Sequence, residues 1–173
     1  TLRAQLLDLT EHYNKALDQP FTHLYNHLAE LLPGLHTFGG VQYDVRGSIQ
    51  LQGSQTDSNP RWVKNIQVKQ KCRRLHFLGG FGFEVDSGRT VATYRIHYAD
   101  GEALDVPVIA GRDTANWWFR PDDLTAGLDV VWTGSNPTAA GAGYKLRLVH
   151  GTWSNPRPDV PIESLDFIST LTT

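Results

Sequence analysis

Trp117 and Trp118 stand side by side, with Arg112, Asp113, Asn116 and Arg120 around them. That is the usual makeup of a sugar site. An indole face meets the C–H side of the ring, and planar polar groups meet the hydroxyls. Arg95 and His97 lie on a neighbouring segment and support the same surface. The candidate ligand-binding set is therefore Trp117, Trp118, Arg120, Asp113, Arg95 and His97. Successive strand residues face opposite sides, so the two indoles are forced apart if residues 116–119 are extended. Trp132 and Trp153 each enter an Asn-Pro turn, at Asn136-Pro137 and Asn155-Pro156. They read mainly as turn anchors, because proline stiffens the loop that follows them.

Other chemistry is thinner. Carboxylate pairs recur at Glu84 and Asp86, Asp100 and Glu102, Asp122 and Asp123, and Glu163 and Asp166. A glycosidase needs two carboxyls about 5–10 Å apart across a cleft, and sequence does not give that separation. Most of these residues fall in expected turns, where Asp and Glu are ordinary. Asp8, Glu11, Glu163 and Asp166 lie near the two chain ends and are candidate oxygen ligands for a structural Ca²⁺. His23 and His27 are spaced to share one helix face, but a metal would need a third ligand from elsewhere. The chain has no His-Glu-x-x-His, no Cys-x-x-Cys and no Gly-x-Ser-x-Gly motif. Gly79-Gly80-Phe81-Gly82 lacks the lysine of a phosphate loop and reads as a strand kink. The single cysteine, Cys72, excludes an intrachain disulfide and reads as a half-buried strand residue, despite basic neighbours that favour a thiolate.

With 173 residues the chain makes one ordinary domain, residues 1–173, large enough for a core without staples. Its net charge of -2 argues against a nucleic-acid partner. Lys69, Lys71, Arg73 and Arg74 form the one basic cluster, read as a solvated strand edge that discourages sheet-to-sheet pairing. No run reaches the roughly 20 apolar residues of a membrane-spanning helix, so membrane insertion is not expected. The chain starts at Thr1 and contains no methionine. An upstream segment is therefore expected.

The elements that must position these residues are mostly strands. Val41, Tyr43 and Val45 alternate with polar residues, as do Val63, Ile66 and Val68 less regularly. Residues 90–109 read as a hairpin turning at Asp100-Gly101, with Ala92, Tyr94, Ile96 and Tyr98 on one face and Thr93, Arg95 and His97 on the other. Tyr144 to Val149 and Ile162 to Ile168 are further strands. About eight to ten short strands at this spacing indicate an all-β antiparallel sandwich. A short helical insertion is expected near residues 22–32, where His23, Leu24, His27, Leu28 and Leu31 precede Pro33-Gly34.

Several segments carry a resemblance: Leu7-Asp8-Leu9-Thr10, Phe38-Gly39-Gly40-Val41, Cys72-Arg73-Arg74-Leu75-His76-Phe77, His97-Tyr98-Ala99-Asp100-Gly101, Trp117-Trp118-Phe119, Trp132-Thr133-Gly134-Ser135-Asn136-Pro137 and Trp153-Ser154-Asn155-Pro156 through Ser164-Leu165-Asp166-Phe167. Together they resemble an uncharacterised β-domain that recurs in bacterial multidomain signalling and envelope proteins. Its strand layout is similar to galactose-binding-like jelly rolls, the layout of many carbohydrate-binding modules. The resemblance implies residues 6–10 as the first strand, further domains in a larger parent protein, and a cell-envelope or secreted setting ahead of a cytoplasmic one. It brings no catalytic residues, so a non-catalytic binding module for a carbohydrate or cell-envelope ligand is expected. A protein–protein assembly module and a carboxylate-based hydrolase are the alternatives.

Overall fold

The computed structural model describes residues 5–123 and 127–173. Its regular elements are nearly all strands, and every pairing between them is antiparallel. The first sheet runs β3 (Trp62–Gln70), β10 (Ile162–Ser169), β5 (Thr90–Tyr98), β6 (Ala103–Ile109). The second is built on β9 (Lys145–Ser154), which pairs with β4 (Arg74–Gly79), β7 (Trp118–Phe119) and β8 (Val130–Gly134). A separate hairpin joins β1 (Gly34–Phe38) to β2 (Val41–Val45).

Period-two alternation decides what faces what. On β5, Ala92, Ile96 and Tyr98 are buried while Arg95 is exposed, as the sequence pattern requires. Ile96 and Tyr98 meet Leu75 of β4 and Ile162 and Leu165 of β10 in one cluster between the two sheets, while Ala92 packs with Val91, Val108 and Ala110 in another. Phe77 stacks on Tyr94 across the gap, with centroids 4.0 Å apart. On the other face of β9, Leu146 and Leu148 pack with Phe38 and Val45 of the hairpin and with Leu17, Leu28 and Leu31. The second sheet is thus covered on both sides. Full burial of an aliphatic side chain such as Leu146 or Ile96 stabilises by about 1.5–3 kcal/mol each.

Gly101, at φ 90, makes the expected hairpin turn between β5 and β6. Pro107 sits on β6, an edge strand, where its missing N–H costs nothing.

Two expectations are corrected. Residues 22–32 form no helix; they run as turns and bends, and among the described residues the one α-helix is α1 (Pro137–Gly141). Tyr25 adopts φ 66, which a right-handed helix does not accommodate. The backbone closes locally instead, with Asn26 N–H donating to His23 O and Phe21 N–H to Asn26 O. Leu28 and Leu31 still reach the core, so the apolar spacing reports burial without a helix. Residues 6–10 do not form a strand either. Leu7 and Leu9 pack against the inter-sheet cluster, but the Asp8 carboxylate accepts the Thr10 N–H at 2.9 Å and bends the chain.

Candidate functional site

The tryptophan pair lies where β7 meets β9. Only Trp118 and Phe119 are in strand, pairing with Leu146 and Lys145. Asn116 caps the approach, its side-chain oxygen accepting the Trp118 N–H at 3.0 Å. Trp117 therefore precedes the strand and does not obey its alternation. Both indoles pack against the cluster beneath the hairpin, Trp117 with its ring centroid 5.0 Å from Phe21. The expected separation of the two rings to opposite faces does not occur. Phe119 takes the place beside the Arg147 guanidinium, at 5.1 Å.

Trp118 is held by a buried polar network. Its indole N–H donates to Asn26 Oδ1 at 3.1 Å. Asn26 is 3% exposed, and the same oxygen accepts a second bond from Asn136 Nδ2 at 3.0 Å. Asn26 Nδ2 in turn reaches Thr22 Oγ1. Asn136 is the N-cap of α1, accepting the Ala139 N–H at 2.7 Å, with Pro137 as the first helical residue. Tyr144 backs the indole at 5.5 Å, tilted by 39°, and Arg120 lies over the Tyr144 ring at 5.1 Å. The Arg120 guanidinium also contacts the Tyr144 hydroxyl, which holds its pKa above the ordinary arginine value.

The other four candidates divide by place. Trp117 lines the inner side of this end. Asp113 forms a turn: it accepts the Ile109 N–H at 2.8 Å and a two-pronged contact from Arg112. Arg95 and His97 lie on the outer face of the first sheet, on β5 and away from β7 in the strand order. Arg95 makes a bidentate pair with Asp105, directly opposite in register, at 2.7 and 2.8 Å. His97 donates to Asp166 at 2.9 Å, and Asp166 also accepts the Asn65 N–H at 2.8 Å. The structure brings together Trp118 and Arg120, with Tyr144 as the added member, and places Arg95, His97 and Asp113 in other hydrogen-bonded sets.

Of the Ca²⁺ candidates, Asp8 is engaged with Thr10 and Asp166 with His97 and Asn65. No group of three or more His, Cys, Asp and Glu side chains among the described residues is placed to hold a metal ion. Glu84 and Asp86 both line a small open depression of about 270 Å³, with Arg89 and Thr172. Burial pushes the Cys72 thiol up, opposite to the direction that basic neighbours alone would give. Trp132 is half-buried with its ring against Gly134, and Trp153 packs against the inter-sheet cluster, as expected of turn anchors.

Sequence reasoning missed Asn26, Tyr144 and Arg147. Arg147 is buried, donates from Nε to Asn116 O at 2.9 Å, and lends its own N–H to Trp117 O. The one available signal was Asn136-Pro137, a helix-start dipeptide whose asparagine reaches Asn26 110 residues away. Comparison with protein families, curated proteins and solved structures finds no match for the chain.

Proposed function

We propose that this domain is a non-catalytic accessory module of galactose-binding-like, jelly-roll layout that binds a carbohydrate or cell-envelope glycan at Trp118, Tyr144 and Arg120. The observation that carries this reading is the anchoring of Trp118. Its indole is fixed by the buried Asn26 and backed by Tyr144, so little rotamer freedom is left to lose on binding. Arg120 is exposed beside the rings and offers donors to sugar hydroxyls or to an acidic glycan. Arg95, His97 and Asp113 are satisfied by protein partners and have no part in it.

A glycan array probed with wild type, Trp118→Ala, Arg120→Ala and Trp62→Ala tests the proposal, followed by calorimetry on any glycan retained. The expected result is wild-type binding that weakens about tenfold or more in Trp118→Ala and Arg120→Ala, with Trp62→Ala unchanged. Arg120 is exposed, so its substitution leaves folding intact and keeps the test valid should Trp118→Ala destabilise the domain. Equal binding by all four proteins, or retention of no glycan by wild type, overturns the proposal.

A further inference from the structure

A second constellation lies on the second sheet, on the face covered by the β1–β2 hairpin. His150 and Thr152 are two apart on β9 and so point the same way, and His76 of β4 stands opposite Thr152 in register. Three atoms converge: His76 Nδ1 is 2.9 Å from His150 Nε2, His76 Nδ1 is 3.1 Å from Thr152 Oγ1, and Thr152 Oγ1 is 3.2 Å from His150 Nε2. This near-equilateral triangle has the spacing of donor atoms on one face of a metal's coordination shell. Ligands about 2.1 Å from a metal stand about 3.0–3.4 Å from one another.

The protonation pattern fits. Asp129 Oδ2 lies 2.8 Å from His150 Nδ1, and an ionised carboxylate only accepts. His150 Nδ1 therefore carries the proton, and in the neutral ring Nε2 presents a lone pair to the triangle. A carboxylate behind a histidine in this way is the arrangement that orients metal-binding imidazoles and raises their basicity. The His150 side chain is 7% exposed, whereas Asp129 is 59% exposed, so the ring is fixed and its partner is solvated. The Tyr43 ring packs edge-on against His150 and helps to fix that ring in place.

We propose that His76 Nδ1, His150 Nε2 and the Thr152 hydroxyl form one face of a binding site for a divalent transition-metal ion of the Zn²⁺, Ni²⁺ and Cu²⁺ class, with solvent filling the other positions. In the metal-free protein His76 Nδ1–H donates to His150 Nε2. On binding, that proton moves to His76 Nε2, so both ring lone pairs face the ion and no net proton leaves the pair. Two imidazoles select borderline metals over Ca²⁺ or Mg²⁺, and Cu²⁺ binds tightest of the three. The site is separate from the glycan surface and does not rest on that reading.

Calorimetric titration of the intact chain with zinc, nickel and copper chlorides, in a buffer that does not coordinate, tests it. Wild type is expected to bind one ion, and His76→Ala to lose at least about tenfold in affinity. Asp129→Asn, which leaves all three ligands in place, is expected to weaken binding by about ten- to a hundredfold. His23→Ala/His27→Ala is expected to bind as wild type. Since His76 and Asp129 are not core residues, both substitutions leave a folded protein to measure. Zinc is also expected to shift the ring nitrogens of His76 and His150 in ¹⁵N spectra. Absence of wild-type binding tighter than about 1 mM, unchanged affinity in His76→Ala, or loss confined to the His23/His27 variant overturns the proposal.

Discussion

Asp166 shows how one charged residue is made structural. Burial pushes its carboxyl pKa up, but hydrogen bonds from His97 and from the Asn65 backbone outweigh burial and hold it below the ordinary carboxylate value. A depressed folded-state pKa means that the unfolded chain binds the proton more readily. The resulting stabilisation is complete above the unfolded pKa of about 3.9 and is lost as pH falls through the lower folded value. Asp166→Asn removes the charge that both donors face, and at pH 7 it is expected to cost about 2 kcal/mol. Urea unfolding at a series of pH values checks this: the two proteins should differ at pH 7 and converge at strongly acidic pH. A gap that stays constant down to acid would mean that shape, and not charge, holds this position.

The two Asn-Pro turns work at the level of elements, and both asparagines are buried. Asn155 accepts from the Tyr98 hydroxyl at 2.7 Å and donates to Cys72 O at 2.8 Å, tying β9 to β5 and to the β3–β4 crossing. Asn136 caps α1 and holds Asn26 and the His27 carbonyl. Asn136→Ala removes a cap and also strands a buried partner, so a loss of about 2–3 kcal/mol is expected. Denaturant unfolding measures that loss, and indole fluorescence should report a loosened Trp118 in the same variant. Stability within about 0.5 kcal/mol of wild type would show that the network is dispensable. The same pair of turns marks what the sequence revealed and what it hid. Val41 to Val45 and the hairpin of residues 90–109 were legible because burial on one sheet face is written as local alternation. Residues 22–32 were not, because Leu24, Leu28 and Leu31 carry helical spacing while Asn26 takes its partners from residues 92 and 110 positions away. The candidate surface was half legible for the same reason. Trp118 and Arg120 are neighbours in sequence, but the register that gives Arg95 to Asp105, and the 74-residue separation of His76 from His150, follow only from the fold.

At the scale of the whole molecule, the weak place is the corner where the chain passes from β3 to β4. Both are edge strands, one in each sheet. A mainly apolar cavity of about 1230 Å³, walled by residues from many parts of the chain, reaches this corner, where Leu75 and Phe77 and also Lys71, Arg73 and Arg74 line it. Unpaired strand edges next to accessible apolar surface invite pairing with another copy. Lys69, Lys71, Arg73 and Arg74 concentrate four positive charges at this corner, and all four are exposed. Two copies approaching edge to edge would bring these clusters together, and the repulsion would be screened by salt over about 10 Å at 0.1 M. Replacing all four with glutamine is therefore expected to raise the rate of association while leaving monomer stability nearly unchanged, since exposed charges contribute little to folding. Light scattering at matched concentration, in low and high salt, reads both effects. Wild type should associate faster as salt rises, and the variant should associate fast at either salt. Equal rates for the two proteins at low salt would remove the guarding role from these residues and leave strand twist or loop cover as what protects the edge.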